Sequence, residues 1–274
     1  YLCSMQWCLS NGDLIATDAL HINSNNRAFQ YADGVFETIR VMYGQPLWTG
    51  WHFDRLSHGL RALHIENPWH LASFEKDLLR LIEANKIRQG GRLKVQVWRK
   101  AGGFYTPESN QAEWLMQLEG LPNNTFQLNY KGLQLGDASR PKHALFIPDI
   151  KSNNALPYVL AAYEAKAAGL DDAFIYHSEG ALLESTNSNV FLLKDGIIRT
   201  PGLDGGCLPG IMRAVMLHLL PSLGYVVKEV YLTKAIHGVR WVGRWKHKRY
   251  FRKQAVALSD AINQLALHSL TSGF

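Results

Sequence analysis

The sequence predicts an α+β protein built as two small domains, residues 1–121 and 122–274. Three observations carry this. Strand-like and helix-like runs are interspersed through both halves. Residues 120–125 (GLPNNT) combine Gly, Pro and paired Asn, which break both regular structures and read as a linker. The chain has 274 residues, 47% apolar and 19% charged, which describes a globular protein at the length where one core begins to split into two.

The elements follow in order. Residues 35–43 (VFETIRVMY) alternate and are rich in β-formers, and Gly44-Gln45-Pro46 supplies a turn after them. From 51 to 65, Phe53, Leu56, Leu60 and Leu63 recur at helical spacing. Over 72–88, Phe74, Leu78, Leu79 and Ile82 form a second apolar face. Residues 92–99 (RLKVQVWR) alternate as a strand, and 113–118 fit another. Beyond the linker a helix fits 155–168, with Gly169 as its C-cap. Strands fit 172–177 and 189–194, and Asp195-Gly196 is a hairpin signal. A helix fits 211–223, a strand 225–232 and a last helix 254–270.

Several classes of function lose support. No apolar stretch approaches the roughly 18 residues that span a bilayer. The sequence begins at Tyr1, and Asn11, Asp13, Asp18 and Asn23 make the first thirty residues unlike a signal peptide. Three cysteines (Cys3, Cys8, Cys207) imply no disulfide framework and fit a reducing cytoplasm, with packing as the role of Cys3 and Cys8. The five-residue spacing of Cys3 and Cys8 is a poor zinc pattern. His52, His58, His64 and His70 recur every six residues, about 600° of helix, so they point apart and read as surface residues without a metal. There is no G-x-G-x-x-G after a strand, no phosphate-binding G-x-x-x-x-G-K-[ST] and no G-x-S-x-G.

Charge is unevenly placed. Residues 240–253 (RWVGRWKHKRYFRK) hold seven Lys or Arg and no acid, more than the whole net charge of +6. Their interleaving with Trp241, Trp245, Tyr250 and Phe251 raises single-stranded nucleic-acid binding as a remote alternative. A solvated charged face is the plainer reading.

Four features could carry chemistry. Residues 33–38 (DGVFET) open the first strand, and Arg55 sits in the helix after it. Lys151 stands in IPDIKSNNAL, just before a helix. Residues 183–213 contain LESTNSNVFLLKDG and TPGLDGGCLPGIMR. Singly, each has a bland explanation as turn, loop or solvated side chain. In this order they resemble the class IV aminotransferases, the pyridoxal-phosphate (PLP) enzymes of fold type IV. These include branched-chain and D-amino-acid aminotransferases and aminodeoxychorismate lyase. The resemblance runs from about residue 27 to about 243. It rests most on Glu184, Asn189, Val190 and Phe191 with Leu208-Pro209-Gly210-Ile211.

The resemblance implies PLP as cofactor and a role for each residue. Lys151 forms the Schiff base and moves a proton at the substrate carbon. Lys142 lies well before the helix and Lys166 inside it, and neither matches the motif. Glu184 holds the protonated pyridine nitrogen. Arg55 takes the phosphate bidentately, together with the helix start at Gly210, Ile211 and Met212. Leu208 packs on the ring, and Asn187 also belongs to the cofactor set. Departures are Met212 where a threonine is common, Leu156 where a tyrosine is common, and Thr233-Lys234-Ala235 in a later phosphate-side element.

The resemblance leans towards 4-amino-4-deoxychorismate lyase, which forms 4-aminobenzoate and pyruvate. Thr38 stands where lyase-like members carry a threonine that assists proton transfer. Arg99 stands where that branch places an arginine for a substrate carboxylate. Lys94 is a second cation on the same strand, but five residues apart the two point to opposite faces, and Arg99 is preferred. The alternative is an amino-acid transaminase of the D-amino-acid or branched-chain type. A homodimer with the active site between the domains is also implied.

Overall fold

Asn11 and Gly12, with φ of 49° and 95°, reverse the chain between strands β1 (Trp7–Ser10) and β2 (Asp13–Ala16). Asn-Gly suits such a turn because both positions need the left-handed region. This hairpin is absent from the expected elements, although its turn signal is strong. The computed structural model describes residues 6–142, 149–194, 197–220, 230–250 and 252–272. Among them no helix is long and apolar enough to cross a membrane.

The architecture is α+β, in two units. The first runs through Thr125 and also takes in Ile150–Asn154; the second holds Phe126–Asp149 and Ala155–Ser272. The division falls four residues beyond the expected boundary. Residues 120–125 are not a free linker: Arg40 donates to the carbonyls of Asn123 and Thr125, and Asn124 Oδ1 accepts the Tyr43 N–H at 2.8 Å. The expected placement of Lys151 in the C-terminal domain is corrected, because its short segment belongs to the first unit.

In the first unit the chain continues through α1 (Arg27–Tyr31), β3 (Gly34–Met42), β4 (Gln45–Pro46), α2 (Thr49–Ala62), α3 (Leu71–Ala84), β5 (Gly90–Arg99) and β6 (Ala112–Leu121). The sheet is antiparallel, in the order β2-β1-β6-β5-β3-β4. Alternation gives β3 and β5 two distinct faces. Val35, Ile39, Val95 and Val97 are buried with Leu56, Leu60, Phe74, Leu78 and Leu81 of the helices. Phe36, Thr38, Lys94 and Gln96 lie half-exposed on the other face.

The lysine segment completes this sheet locally. Phe36 N donates to Lys151 O at 3.0 Å and Asn153 N to Gly34 O at 2.9 Å, around a Val35–Ser152 bridge. Gly34 makes the approach feasible, since a Cβ there would lie 2.3 Å from Val97 O and 2.8 Å from Asn153 Nδ2.

The second unit comprises β7 (Leu133–Asp137), α4 (Leu156–Ala167), β8 (Asp172–Tyr176), β9 (Leu182–Ser185), β10 (Asn189–Lys194), β11 (Ile197–Arg199), α5 (Ile211–Leu219), β12 (Val230–Lys234), β13 (Gly238–Trp245), β14 (Lys248–Arg249) and α6 (Lys253–Ser272). The sheet order is β11-β10-β12-β13-β7-β8-β9, and β9 returns to pair with β10. The ring closes at Glu184, which sits opposite Asn189. The Asp195-Gly196 turn and the start of the strand expected over 225–232 lie outside the described residues. Gly169, at φ 69°, follows α4 as expected.

The basic segment 240–253 forms β13, β14 and the start of α6. Its described aromatic residues, Trp241, Trp245 and Tyr250, turn inward. Trp241 Nε1 donates to Asn129 O, Trp245 stacks edge-on with Phe174, and both Trp245 and Tyr250 pack on the barrel core. Arg244, Lys246, Lys248 and Arg249 are exposed. The interleaving is strand alternation, and it offers those rings no role as stacking platforms for bases.

Candidate active site

On the half-exposed face of the first sheet, the Lys151 Nζ lies 4.1 Å from the centre of the Phe36 ring and the Lys94 Nζ lies 5.7 Å from it. Thr38 is two residues from Phe36 on the same strand and pairs directly with Lys94. Lys151, Thr38 and Lys94 therefore share one face. Burial lowers the Lys94 pKa, and nearby Arg92 pushes the same way.

Glu37 points to the opposite face, into a buried ionic cluster. Its Oε1 accepts Arg55 Nε at 2.7 Å, and its Oε2 accepts Arg55 Nη2 at 2.6 Å. His52 Nδ1 lies 2.7 Å from Oε2. Burial pushes the Glu37 carboxyl up, but the Arg55 charge and the His52 contact outweigh it and hold it far below the usual carboxylate range. An ionised Glu37 only accepts, so neutral His52 carries its proton on Nδ1. Two expectations are corrected here. His52 is a buried member of this cluster, whereas sequence spacing reads it as a surface residue. The bidentate edge of Arg55, expected on a phosphate, grips Glu37.

Arg99 also differs from expectation. It lies on the helix-covered face and donates to Asp33 Oδ2 (3.0 Å), Asn110 Oδ1 (2.5 Å), Leu63 O (2.5 Å) and His64 O (3.1 Å). These bonds tie the end of α2 to the sheet and occupy four of its five N–H groups. Arg99 is an internal strut; Lys94 is the β5 cation on the Lys151 face.

The second unit gathers another set. Glu184, on β9, is buried. Its Oε1 accepts Lys142 Nζ at 2.7 Å and the Tyr158 hydroxyl at 2.9 Å, and its Oε2 accepts Leu208 N at 3.0 Å. Asn189 Nδ2 donates to Leu208 O at 2.7 Å. Leu208 is thus clamped by its backbone between Glu184 and Asn189. Gly210 caps α5 without a side-chain bond, and Ile211 and Met212 are buried in the first turn. A Cβ on Gly210 would lie 2.0 Å from Asn189 Oδ1. Asn187 is exposed on the turn after Glu184, bonded to Thr186 and Ser188. Thr233 faces Asn189 across the β10–β12 ladder, and its buried Oγ1 has no hydrogen-bond partner among the described residues.

Residues 34–236 match the family described as Amino-transferase class IV. The chain belongs to the class IV aminotransferase family. It is therefore a PLP-dependent enzyme of the aminotransferase and lyase group. It is 28% identical over 225 residues to a putative branched-chain-amino-acid aminotransferase of Methanocaldococcus jannaschii, covering 81% of this chain and 77% of that one. It is also 28% identical to aminodeoxychorismate lyase of Vibrio harveyi, covering 76% of each. The fold is that of the branched-chain aminotransferase of Thermoproteus uzoniensis, with a TM-score of 0.87 at 18% identity, over 96% of this chain and 95% of the other.

The second unit of this class IV chain fits the cofactor on its own geometry. A carboxylate offers about four lone-pair sites, and the three donors on Glu184 leave one on Oε2 for a pyridinium N–H. The α5 start presents N–H groups without a side-chain cap, and the buried Thr233 hydroxyl, on the strand α5 packs against, has no hydrogen-bond partner among the described residues. Sequence reasoning missed Glu37, Lys142 and Tyr158 as members of these clusters. For Glu37, its place between Phe36 and Thr38 on an alternating strand was the available signal.

Proposed function

We propose that this enzyme acts on 4-amino-4-deoxychorismate, releasing 4-aminobenzoate and pyruvate. The observation that carries the reading is the shared face of Lys151 and Thr38, with Lys94 beside them. PLP, when bound, supplies an electron sink for negative charge developing at the substrate carbon. Lys151 is assigned the bond to its aldehyde. Lys142 is a poor candidate for that bond, because it already touches Glu184. The ring nitrogen and the aldehyde lie at opposite ends of the pyridine ring, so one amine cannot sit at both.

The remaining residues bind or move protons. Glu184 Oε2 holds the ring-nitrogen proton. The N–H groups of Ile211 and Met212 and the Thr233 hydroxyl receive the phosphate. Leu208 and Asn187 line the ring. Lys151 carries a proton to and from the substrate carbon, and the Thr38 hydroxyl assists on the same face. Lys94 attracts a substrate carboxylate.

Amino-acid transamination is the second reading, favoured by the branched-chain relative at the same 28% identity. A paired assay decides between them. One arm supplies aminodeoxychorismate and follows 4-aminobenzoate; the other supplies L- and D-amino acids with 2-oxoglutarate and follows the keto acid. Keto acid without 4-aminobenzoate overturns the lyase. A protein that stays colourless with PLP overturns the cofactor assignment as well.

A homodimer belongs to the same reading. Support comes from α4, which is apolar on both sides. Ala161 and Ala165 are buried, while Leu156, Val159, Leu160 and Tyr163, at helical spacing, are exposed. The buried free thiols of Cys8 and Cys207 agree with a reducing, cytoplasmic setting.

A further inference from the structure

Lys142 has no role in the function proposed above, yet it is held closely. Its side chain is 6% exposed, and Nζ uses all three of its N–H bonds: to Glu184 Oε1 and Gly206 O, each at 2.7 Å, and to the Tyr158 hydroxyl at 2.8 Å. Tyr158 donates onward to the same Oε1. Burial, and then Glu184, push the Tyr158 pKa well above its ordinary value, so the phenol keeps its proton and remains a donor. The backbone fixes Lys142 as well, through Lys142 N to Tyr176 O at 2.8 Å beside the end of β8. A buried ammonium is unfavourable unless fully paired, and this one is.

The distribution over Glu184 is asymmetric. Oε1 takes the charged donor and the phenol, while Oε2 takes one neutral backbone N–H. We propose that Lys142 is a positioning residue for Glu184: it anchors Oε1, leaves Oε2 for the cofactor's ring nitrogen, and limits how tightly the carboxylate holds the ring proton. This rests on the assignment of Glu184 to that nitrogen. Two cations sharing one carboxylate compete for it, so the ammonium makes the ring nitrogen release its proton at lower pH than Glu184 alone would allow. The ring then remains an electron sink whose strength is set from Lys142.

The test uses the holoenzyme of this chain loaded with ring-¹⁵N PLP, and follows the protonation of that nitrogen by NMR as pH is varied. Lys142→Gln keeps an N–H donor and removes the charge; Lys142→Met removes both; Lys142→Arg keeps the charge. In the Gln and Met variants the deprotonation midpoint is expected to rise by about one to three pH units, as for removal of a charge in close contact. In Lys142→Arg it is expected to stay at the wild-type value. An unchanged midpoint in the Gln and Met variants overturns the proposal. If those two fail to fold, a displaced midpoint in the Arg variant overturns it. Glu184→Gln is the control and should lower the midpoint. A ring nitrogen indifferent to Glu184→Gln removes the underlying assignment, whereas a normal response there with no response at Lys142 removes only this inference.

Discussion

His52 Nδ1 and Glu37 Oε2 lie 2.7 Å apart, with each side chain 1% exposed. Burial holds the His52 pKa below its ordinary 6.5, overcoming the pull of Glu37, and the charges of Arg55 and Lys151 push it the same way. The unfolded chain takes up a proton at this histidine below about pH 6.5, while the native protein does not, so stability falls as pH falls through that value. Glu37 acts in the same direction. Its native pKa is depressed, so its contribution is present above about pH 4.5 and is lost as pH falls further. The melting temperature of the apo-protein should hold between pH 9 and 7, fall from about pH 6.5, and steepen below about pH 4.5. A melting temperature that climbs between pH 7 and 5.5 contradicts this account.

Arg99 and Lys94 make opposite predictions. Arg99 is buried against Asp33, and breaking a buried pair costs about 3–5 kcal/mol. Arg99→Ala should lose that much in denaturant unfolding, while the milder Arg99→Lys should keep the KM of the wild type. Lys94→Met should raise KM with little change in unfolding. The reverse pattern would return the substrate carboxylate to Arg99.

These two residues also show where sequence reasoning stops. Alternation along residues 92–99 correctly places Lys94 and Arg99 on opposite faces, because a strand's period is two. It does not say which face a helix will cover. That is decided by α2 and the turn after it, whose Leu63 and His64 carbonyls meet the Arg99 guanidinium. Long periodic segments such as Leu71–Ala84 and Gly90–Arg99 were legible because each repeats one signal many times. The Asn11-Gly12 hairpin was legible too, through its turn pair, and only its short strands concealed it. Lys142 was not legible. Its partner Glu184 is 42 residues away, and the contact depends on barrel closure, which no local pattern records.

Gly210 is packed against a side chain that the site uses. An added methyl would lie 2.0 Å from Asn189 Oδ1, and the same asparagine holds Leu208 O. Gly210→Ala should therefore displace Asn189, loosen Leu208 and disturb the Glu184 contact beyond it. Overpacking of this kind costs about 1–3 kcal/mol. The expected result is a lower apo melting temperature together with weaker PLP binding by fluorescence titration. If PLP affinity is unchanged, the Asn189–Leu208–Glu184 chain does not reach the cofactor.

The exposed face of α4 makes the assembly testable. Leu156, Val159 and Tyr163 are 62%, 58% and 72% exposed, a continuous apolar stripe that a soluble helix ordinarily covers. If a second copy covers it, light scattering should give twice the 30.9 kDa of one chain. Placing two carboxylates on the stripe, as Val159→Glu with Tyr163→Glu, buries charge in the interface and should yield a monomer. The substituted side chains face away from Ala161 and Ala165, so far-UV circular dichroism should be unchanged. A wild-type monomer removes the homodimer from the reading. A doubly substituted protein that remains dimeric keeps the homodimer and places its interface elsewhere.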